Sequence, residues 1–143
     1  MSVPRLVVDT SVIVSGLRSQ LGASNRILTL VAERQLVPLV TTALFLEYED
    51  VLNRPEQRLA TGMAREDVSG FLAALASAAE PVDVHFMWRP QLADPADELV
   101  LEAAVNGRAS AIVTHNVRDF LPAAGDFEID VITPSVMLQR IRK

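Results

Sequence analysis

The sequence predicts an α/β fold in which a mostly parallel central sheet is flanked by helices on both faces. Three observations lead to this prediction. Short apolar runs of strand length alternate along the chain with longer segments whose apolar residues recur at helical spacing. Hydrophobic residues make up 50% of the 143-residue chain, which is enough for a substantial buried core. Neither internal repeats nor low-complexity segments are visible, so residues 1–143 are expected to form one domain.

The individual elements follow from local signals along the chain. Strand Leu6–Asp9 comes first, and Thr10-Ser11 then turn the chain into another apolar segment, Val12-Ile13-Val14. Thr42 is expected to cap a later helix, and Asn106-Gly107 to stop another. The remaining elements are helix Ser24–Glu33, strand Leu36–Val40, helix Ala43–Leu52, helix Glu66–Ala78, strand Val82–Val84, helix Ala96–Val105, strand Ala111–Thr114, strand Ile129–Ile132 and helix Pro134–Arg142. The predicted loops are Arg18–Gly22, Arg54–Gly62 and Met87–Pro95.

Two acidic side chains follow predicted strands. Asp9 closes the first strand, and ligand sites of open α/β sheets lie just beyond the carboxyl ends of the strands. Asp119 comes after the apolar run Ala111-Ile112-Val113 and the polar stretch Thr114-His115-Asn116, so it is expected in or near a loop. Parallel strands end at a common edge, so both acids are expected to face one crevice. His115 is interpreted as either structural or substrate-facing.

Two further acids are predicted to point inward from helices. Glu47 lies on the apolar face of its helix, whereas Glu49 points away from it. Asp97 likewise lies on the apolar face of its helix, whereas Glu98 and Glu102 lie on other faces. The apolar residues that define these faces are Leu44, Tyr48 and Val51 in the first helix, and Val100, Leu101 and Ala104 in the second.

Each acid also has a purely structural explanation. Asp94 and Pro95 are typical of a helix start, in which Asp97 would be the capping-box partner. Asp9 could cap a helix, Glu47 could be a boundary residue whose carboxylate reaches solvent, and Asp119 could be a turn residue. Carboxylates that are brought close together repel one another unless they take up protons or a cation. Their joint placement therefore favours a divalent-cation site.

Several segments together resemble the PIN-domain ribonucleases, and most closely the VapC-like toxin components of bacterial toxin–antitoxin pairs. The resemblance rests on Val7-Val8-Asp9-Thr10-Ser11-Val12, the Glu47 helix, the Asp97–Ala104 segment and the Ala111–Phe120 segment, in this order and spacing. It extends from about Val3 to the C-terminus. The resemblance implies hydrolysis of RNA phosphodiester bonds, a cognate antitoxin as partner, and a homodimer with paired helices.

The resemblance also implies the site residues. Asp9, Glu47, Asp97 and Asp119 match the metal-binding acids of the family, although Asn116 competes with Asp119 for the fourth position. Ser11, Thr114 and Asn116 match polar residues that would orient the carboxylates through hydrogen bonds. Oxygen ligands without cysteine or a histidine pair indicate Mg²⁺ or Mn²⁺, as one ion or two, rather than zinc. Glu47 would bind metal through water or act as a general base, and Arg118 is the arginine best placed to meet a phosphate.

The composition of the chain excludes several kinds of site and several classes of enzyme. Since the chain has no cysteine, it has no disulfide, thiolate metal site or cysteine nucleophile, which fits a reducing cytoplasm. Its one lysine is Lys143, which excludes P-loop NTPases and Schiff-base enzymes and counts against receiver domains and haloacid-dehalogenase-type phosphatases. The net charge of −5 does not exclude a nucleic-acid substrate, because bound divalent cations would nearly cancel it. Neither a signal peptide nor a membrane span is expected.

Two other functions stay open at this point. The chain could be a PIN-like binding module whose acidic pocket receives an arginine of a partner, with little or no catalysis. It could also be a structure-specific DNA nuclease, although such relatives usually carry extra segments that clamp duplex DNA. An assay of the pure protein with Mn²⁺ separates a nuclease from a binding module.

Overall fold

The computed structural model of this chain describes residues 3–85, 91–121 and 123–142. Its strands are β1 (Arg5–Val8), β2 (Val37–Val40), β3 (Glu80–Pro81), β4 (Ala111–Val113) and β5 (Asp130–Ile132). They form a five-stranded sheet in the order β3-β2-β1-β4-β5, and every pairing is parallel. The predicted fold class is confirmed.

Helices cover both faces of this sheet. In the described residues they are α1 (Thr10–Arg18), α2 (Ala23–Ala32), α3 (Thr42–Leu52), α4 (Pro55–Thr61), α5 (Arg65–Ala78), α6 (Pro95–Gly107), α7 (Val117–Phe120), α8 (Ala123–Asp126) and α9 (Pro134–Ile141). Helix α6 packs across β1, β2 and β4, whereas α2 packs against α1, α5 and α9. The connections between parallel strands are normally right-handed, so strands added on either side of β1 carry their helices on opposite faces.

The two central strands, β1 and β4, end side by side. Val8 pairs with Val113, and both side chains are buried, with exposures of 1% and 0%. The backbone N–H of Asp9 donates a hydrogen bond of 2.9 Å to the carbonyl oxygen of Val113. Asp9 and Thr114 therefore leave the sheet together at its carboxyl edge, where ligand sites of this fold class form.

Helix α1 is absent from the predicted elements. Its sequence contains three consecutive β-branched residues, Val12 to Val14, which have low helix propensity and favour strands. In the structure Val12, Ile13 and Gly16 form a buried helical face that packs into the core. Tertiary packing has overridden local propensity here, and the helix begins directly after Asp9.

The prediction of a loop over Arg54–Gly62 is wrong, because this segment contains α4. Pro55 occupies the first turn of the helix, where its missing N–H costs nothing. Gly62 ends the helix in the left-handed conformation, with φ of 73°. The proline and glycine that suggest a loop are therefore the start and stop signals of a short helix.

Strand β3 lies two residues before its predicted position at Val82–Val84. Glu80 and Pro81 pair with Leu39 and Val40 of β2, so the partner strand decides where this edge strand forms. Helices α7 and α8 are also additional, because a segment of four residues is too short to show an apolar period. Of the predicted loop Met87–Pro95, Met87 to Pro90 lie outside the described residues.

The caps of α3 and α6 test two further predictions. The N-cap of α3 is Thr41 rather than Thr42, and its hydroxyl accepts a hydrogen bond of 3.0 Å from the backbone N–H of Leu44. Asp94 caps α6 as predicted, and its carboxylate accepts a hydrogen bond of 2.9 Å from the backbone N–H of Ala96. The cap of α6 fixes the position of the first turn, which carries Asp97.

Candidate functional site

Asp9 lies at the centre of the carboxyl edge of the sheet and is only 5% exposed. Its Oδ2 accepts hydrogen bonds from the hydroxyls of Ser11, at 2.8 Å, and Thr114, at 2.6 Å. Asp9 occupies the N-cap position of α1, as the structural interpretation proposed, but its side chain makes no capping hydrogen bond to that helix. Within the described residues Oδ1 has no hydrogen-bond partner. That oxygen is therefore free to bind a ligand.

Thr114 ties Asp9 to the segment that follows β4. The Thr114 side chain is completely buried, and its hydroxyl both donates to Asp9 and accepts a hydrogen bond of 2.9 Å from the backbone N–H of Asn116. Ser11 approaches the same carboxylate oxygen from the first turn of α1. Two hydroxyls from separate parts of the chain therefore fix the orientation of the Asp9 carboxylate.

Asp97 stands half-buried in the first turn of α6. Burial is the main cause that raises the pKa of Asp97 to about 6, and the charges of Asp9, Asp94 and Asp119 act in the same direction. The capping-box interpretation of Asp97 is wrong, since its carboxylate makes no hydrogen bond within the described residues. Asp97 therefore lies within electrostatic reach of the acids on both neighbouring elements.

Asp119 and Asn116 belong to α7 and its N-cap rather than to a loop. Both side chains are exposed, and the backbone N–H of Asp119 donates a hydrogen bond of 3.0 Å to the carbonyl oxygen of Asn116. The charge of Asp119 contributes to the raised pKa of Asp97, which places this acid beside the crevice. Arg118 lies between them on α7; it is exposed and has no ion pair with any other described residue.

Glu47 lies on α3, one residue before Tyr48, and its charge acts on Arg54. It is half-buried, whereas Glu49 is exposed, as the helical phase predicts. Its neighbour Tyr48 is buried and donates a hydrogen bond from its hydroxyl to the carbonyl oxygen of Val8. Burial raises the pKa of Tyr48, and the charge of Asp9 raises it further. Tyr48 therefore anchors this turn of α3 next to Asp9, although Glu47 is not among the charges that raise the pKa of Asp97.

Within the described residues, Asp9, Asp97 and Asp119 form no ion pair with a cationic side chain. The ion pairs of the described residues are Arg5–Glu80, Arg54–Asp50 and Arg140–Asp130, all of which lie elsewhere. The described residues contain no group of three or more acidic or histidine side chains close enough to enclose a metal ion as they stand. The oxygen donors of Asp9, Asp97 and Asp119 are of the kind that Mg²⁺ or Mn²⁺ prefers.

A contact between Ser24 and His115 adds a residue pair that sequence reasoning did not connect. A hydrogen bond of 2.8 Å joins Ser24 Oγ to His115 Nε2 and links the start of α2 to the segment after β4. The two residues are 91 positions apart, so no local pattern relates them. Glu98, which was predicted on another face of α6 than Asp97, accepts hydrogen bonds on its carboxylate from the backbone N–H groups of Gln91 and Leu92.

Comparison with known proteins identifies the family. A family model described as PIN domain matches residues 5–118, which is most of the chain. The chain belongs to the PIN-domain family. PIN domains are generally nucleases, and they typically use divalent metal ions. A comparison with curated proteins gives no match.

The PIN-domain match ends at Arg118, one residue before Asp119. It therefore includes Asn116 and leaves the other candidate for the fourth ligand just outside. No helix in the described part of this PIN domain is long and apolar enough to cross a membrane.

Proposed function

We propose that this PIN domain is a metal-dependent endoribonuclease that hydrolyses RNA phosphodiester bonds with Mg²⁺ or Mn²⁺. The observation that carries the proposal is the geometry of Asp9 at the carboxyl edge of the sheet: it is 5% exposed, Ser11 and Thr114 hold one of its carboxylate oxygens, and the other oxygen has no hydrogen-bond partner within the described residues. Asp97, whose pKa is raised chiefly by burial, lies within reach of the charge of Asp9, and a cation would stabilise both carboxylates. A divalent cation is the natural ligand for carboxylates of this kind.

Four side chains of the site would have distinct roles in this hydrolysis. Asp9 and Asp97 would hold one ion, and Asp119 or Asn116 would complete its coordination or hold a second. A bound Mg²⁺ or Mn²⁺ would polarise a phosphate oxygen and lower the pKa of a water molecule. Glu47 would accept a proton from the attacking water or hold it in line with the phosphorus atom.

Other residues would support these groups without touching the reacting atoms. Ser11 and Thr114 already hold Oδ2 of Asp9, so Oδ1 is presented to the ligand in one orientation. Arg118 is exposed on α7 and would contact a phosphate of the RNA backbone.

The direct test is cleavage of single-stranded RNA by the pure protein in the presence of Mn²⁺. Asp9→Asn and Glu47→Gln are expected to lower the rate by roughly 10²–10⁴-fold, in the range of lost acid–base or metal catalysis. Glu49→Gln is the matched control, because this acid sits on the same helix and is exposed. Equal losses for Glu47→Gln and Glu49→Gln would contradict the assignment of Glu47.

The choice of substrate separates this proposal from its alternatives. Single-stranded RNA, single-stranded DNA and branched duplex DNA are compared under the same Mn²⁺ concentration. A preference for branched DNA favours a structure-specific DNA nuclease. If no nucleic acid is cleaved although Mn²⁺ binds, the site is better explained as a binding module.

We also infer that the protein is the toxin of a toxin–antitoxin pair, from its resemblance to VapC-like proteins. A partner that inserts an arginine would pair with Asp9, Glu47 and Asp97, whose carboxylates have no ion pair within the described residues. Expression without the partner should slow growth, and Asp9→Asn should relieve this effect. If Asp9→Asn protein is equally toxic, hydrolysis is not the cause of toxicity.

A further inference from the structure

Ser24 is a buried polar residue whose hydrogen bond reaches across the fold. It lies in the first turn of α2, is 3% exposed, and its Oγ is 2.8 Å from Nε2 of His115. A buried hydroxyl needs a partner, because leaving it unpaired is costly. The only side chain bonded to it in the described structure is that of His115, which is itself an exposed residue. The bond therefore fixes one edge of an otherwise accessible ring.

The start of α2 is itself held firmly in place. Helices α1 and α2 approach closely at Gly16, where an added Cβ would lie 3.0 Å from the backbone oxygen of Ser24. The side-chain amide of Asn25 donates a hydrogen bond of 2.8 Å to the carbonyl oxygen of Gly16. The start of α2, which contains Ser24, is thus held against α1, the helix that begins directly after Asp9.

His115 stands inside the hydrogen-bond network of the carboxyl edge. The residue before it, Thr114, donates to Asp9, and the backbone N–H of the residue after it, Asn116, donates to Thr114. Consecutive residues are thereby tied to two different elements, since Thr114 is bonded to Asp9 and His115 to α2. In the sequence, His115 therefore lies between Thr114, which binds Asp9, and Asn116, which is one of the residues proposed to bind metal.

Accessible rings are rare in the part of this chain that the structure describes. Among its aromatic and imidazole rings, those of His85 and His115 are exposed. The others are buried or half-buried and belong to Phe45, Tyr48, Phe71, Phe120 and Phe127. His85 lies far from the acids, since its backbone N–H donates to the side chain of Asn106, near the C-terminal end of α6. Within the described residues, the exposed ring at the carboxyl edge of the sheet is therefore that of His115.

We propose that His115 stacks on a nucleobase of the RNA next to the scissile phosphate, with Ser24 as the residue that holds its ring in place. This inference rests on the proposed ribonuclease function. Single-stranded RNA is bound largely through stacking of its unpaired bases on planar side chains, histidine included. A ring that is already oriented by a buried hydroxyl loses less conformational freedom when a base stacks on it.

Steady-state cleavage of a short single-stranded RNA with Mn²⁺ tests the role of His115. His115→Ala is expected to raise KM by about 10-fold while leaving kcat within about 2-fold, because stacking contributes binding rather than chemistry. His115→Phe keeps a ring but loses the hydrogen bond to Ser24, so its KM should rise by only about 2- to 5-fold, well below the rise in His115→Ala. His115→Gln keeps a group that can bond to Ser24 but has no ring, so its KM should match that of His115→Ala.

Two further variants sharpen the comparison. Ser24→Ala should raise KM by a smaller factor, about 2- to 5-fold, because the ring stays but is no longer held. His85→Ala removes the other exposed imidazole of the described residues and should leave KM and kcat unchanged. The stabilisation of each variant by Mn²⁺ should equal that of the wild type, which shows that the carboxylates are intact.

An abasic RNA identifies the base that stacks. Abasic nucleotides are placed in turn at each position beside the scissile phosphate, and one position should raise KM in the wild type but not in His115→Ala. The inference is overturned if His115→Gln behaves like the wild type while His115→Phe fails, since the hydrogen bond alone would then matter. It is also overturned if no abasic position affects the wild type. A wild type that cleaves no RNA refutes the proposed function instead.

Discussion

The hydroxyl of Thr114 donates a 2.6 Å hydrogen bond to Oδ2 of Asp9, across 105 positions of the sequence. The bond exists because β1 and β4 are neighbours and end at the same level, with Val8 opposite Val113. Since Ser11 binds the same oxygen, one side of the Asp9 carboxylate is occupied by the protein and the other is left for a ligand.

Replacing Thr114 with valine should impair the site more than the fold. The substitution keeps the shape of the side chain but removes the donor to Asp9 and the acceptor for the backbone N–H of Asn116. We expect RNA cleavage or Mn²⁺ affinity to fall by roughly 10–100-fold, the usual effect of losing a group that orients a metal ligand. Stability should fall by about 1–3 kcal/mol, because buried polar groups lose their partner.

Two control variants distinguish this effect from a general loss of hydroxyl groups. Thr114→Ser keeps the hydroxyl and should retain most of the activity. Ser110→Ala removes a hydroxyl that donates to the carbonyl oxygen of Arg5 at the exposed opposite end of β4, and it should leave cleavage unchanged. Comparable losses in Thr114→Val and Ser110→Ala, measured as initial rates, would contradict the role of Thr114.

The metal-free protein should become less stable as the pH rises from about 4 to about 6. The pKa of Asp97 is raised from the ordinary 3.8 to about 6, chiefly by burial, so the folded state holds a proton that the unfolded state releases. Below pH 4 both states are protonated, and this contribution to stability is fully present. It is lost as the pH passes through 6, because the folded state must then carry the charge.

Urea unfolding in the presence of a chelator checks this pH dependence. Asp97→Asn has no proton to lose, so it should be more stable than the wild type above pH 6 and similar to it near pH 4. An advantage for Asp97→Asn that is the same at both pH values would show that titration of Asp97 is not its cause.

Mn²⁺ or Mg²⁺ should raise the thermal stability of the wild type. A ligand that binds only the folded state stabilises it by mass action, by about 2.7 kcal/mol at a concentration 100 times the Kd. The double variant Asp9→Asn with Asp97→Asn should lose most of this gain. Glu66→Gln is a suitable control, because Glu66 is an exposed acid at the start of α5. An equal shift in wild type and double variant, measured by calorimetry, would exclude the proposed metal site.

Alanine substitutions at two helical glycines should change stability in opposite directions. A Cβ at Gly16 would lie 2.6 Å from Leu28 Cδ1 and 3.0 Å from the backbone oxygen of Ser24, so Gly16→Ala should destabilise the protein by roughly 1–3 kcal/mol. A Cβ at Gly70, within α5, meets no atom within 4 Å, so Gly70→Ala should stabilise by about 0.5–1 kcal/mol through helix propensity.

The free energies of unfolding of both variants provide the test. Leu28 can rotate away from an added Cβ, but the carbonyl oxygen of Ser24 belongs to the helix backbone and cannot move alone. Gly16→Ala should therefore also disturb the Ser24–His115 hydrogen bond. Stabilisation by Gly16→Ala would indicate that α1 and α2 separate easily and that Ser24 is not held firmly.

Much of the fold was predictable because its signals are local. Strands buried on both faces appear as apolar runs, and amphipathic helices appear as a period of 3.6 residues, so the parallel α/β class follows from the order of these segments. The same period places Glu47 inward and Glu49 outward on α3, and the burial of the two residues agrees with this. Asp94 and Pro95 at the start of α6 likewise form a signal contained within a few residues.

The errors in the prediction arose where local signals were ambiguous. The β-branched residues from Val12 to Val14 conceal α1, whose helical form is fixed by packing of its buried face into the core. Pro55 and Gly62 mark the two ends of α4 although they are also common in loops. In both cases the alternatives differ in tertiary contacts rather than in local propensity.

The parallel α/β class, the acids available to the crevice and the helix faces that carry them can all be read from local patterns in the chain. The tertiary structure decided which of these groups meet. Strand pairing joins Asp9 to Thr114 over 105 positions, and packing of α2 joins Ser24 to His115 over 91. Such contacts depend on the register and packing of elements that are distant in the chain, and no pattern within a single element encodes them.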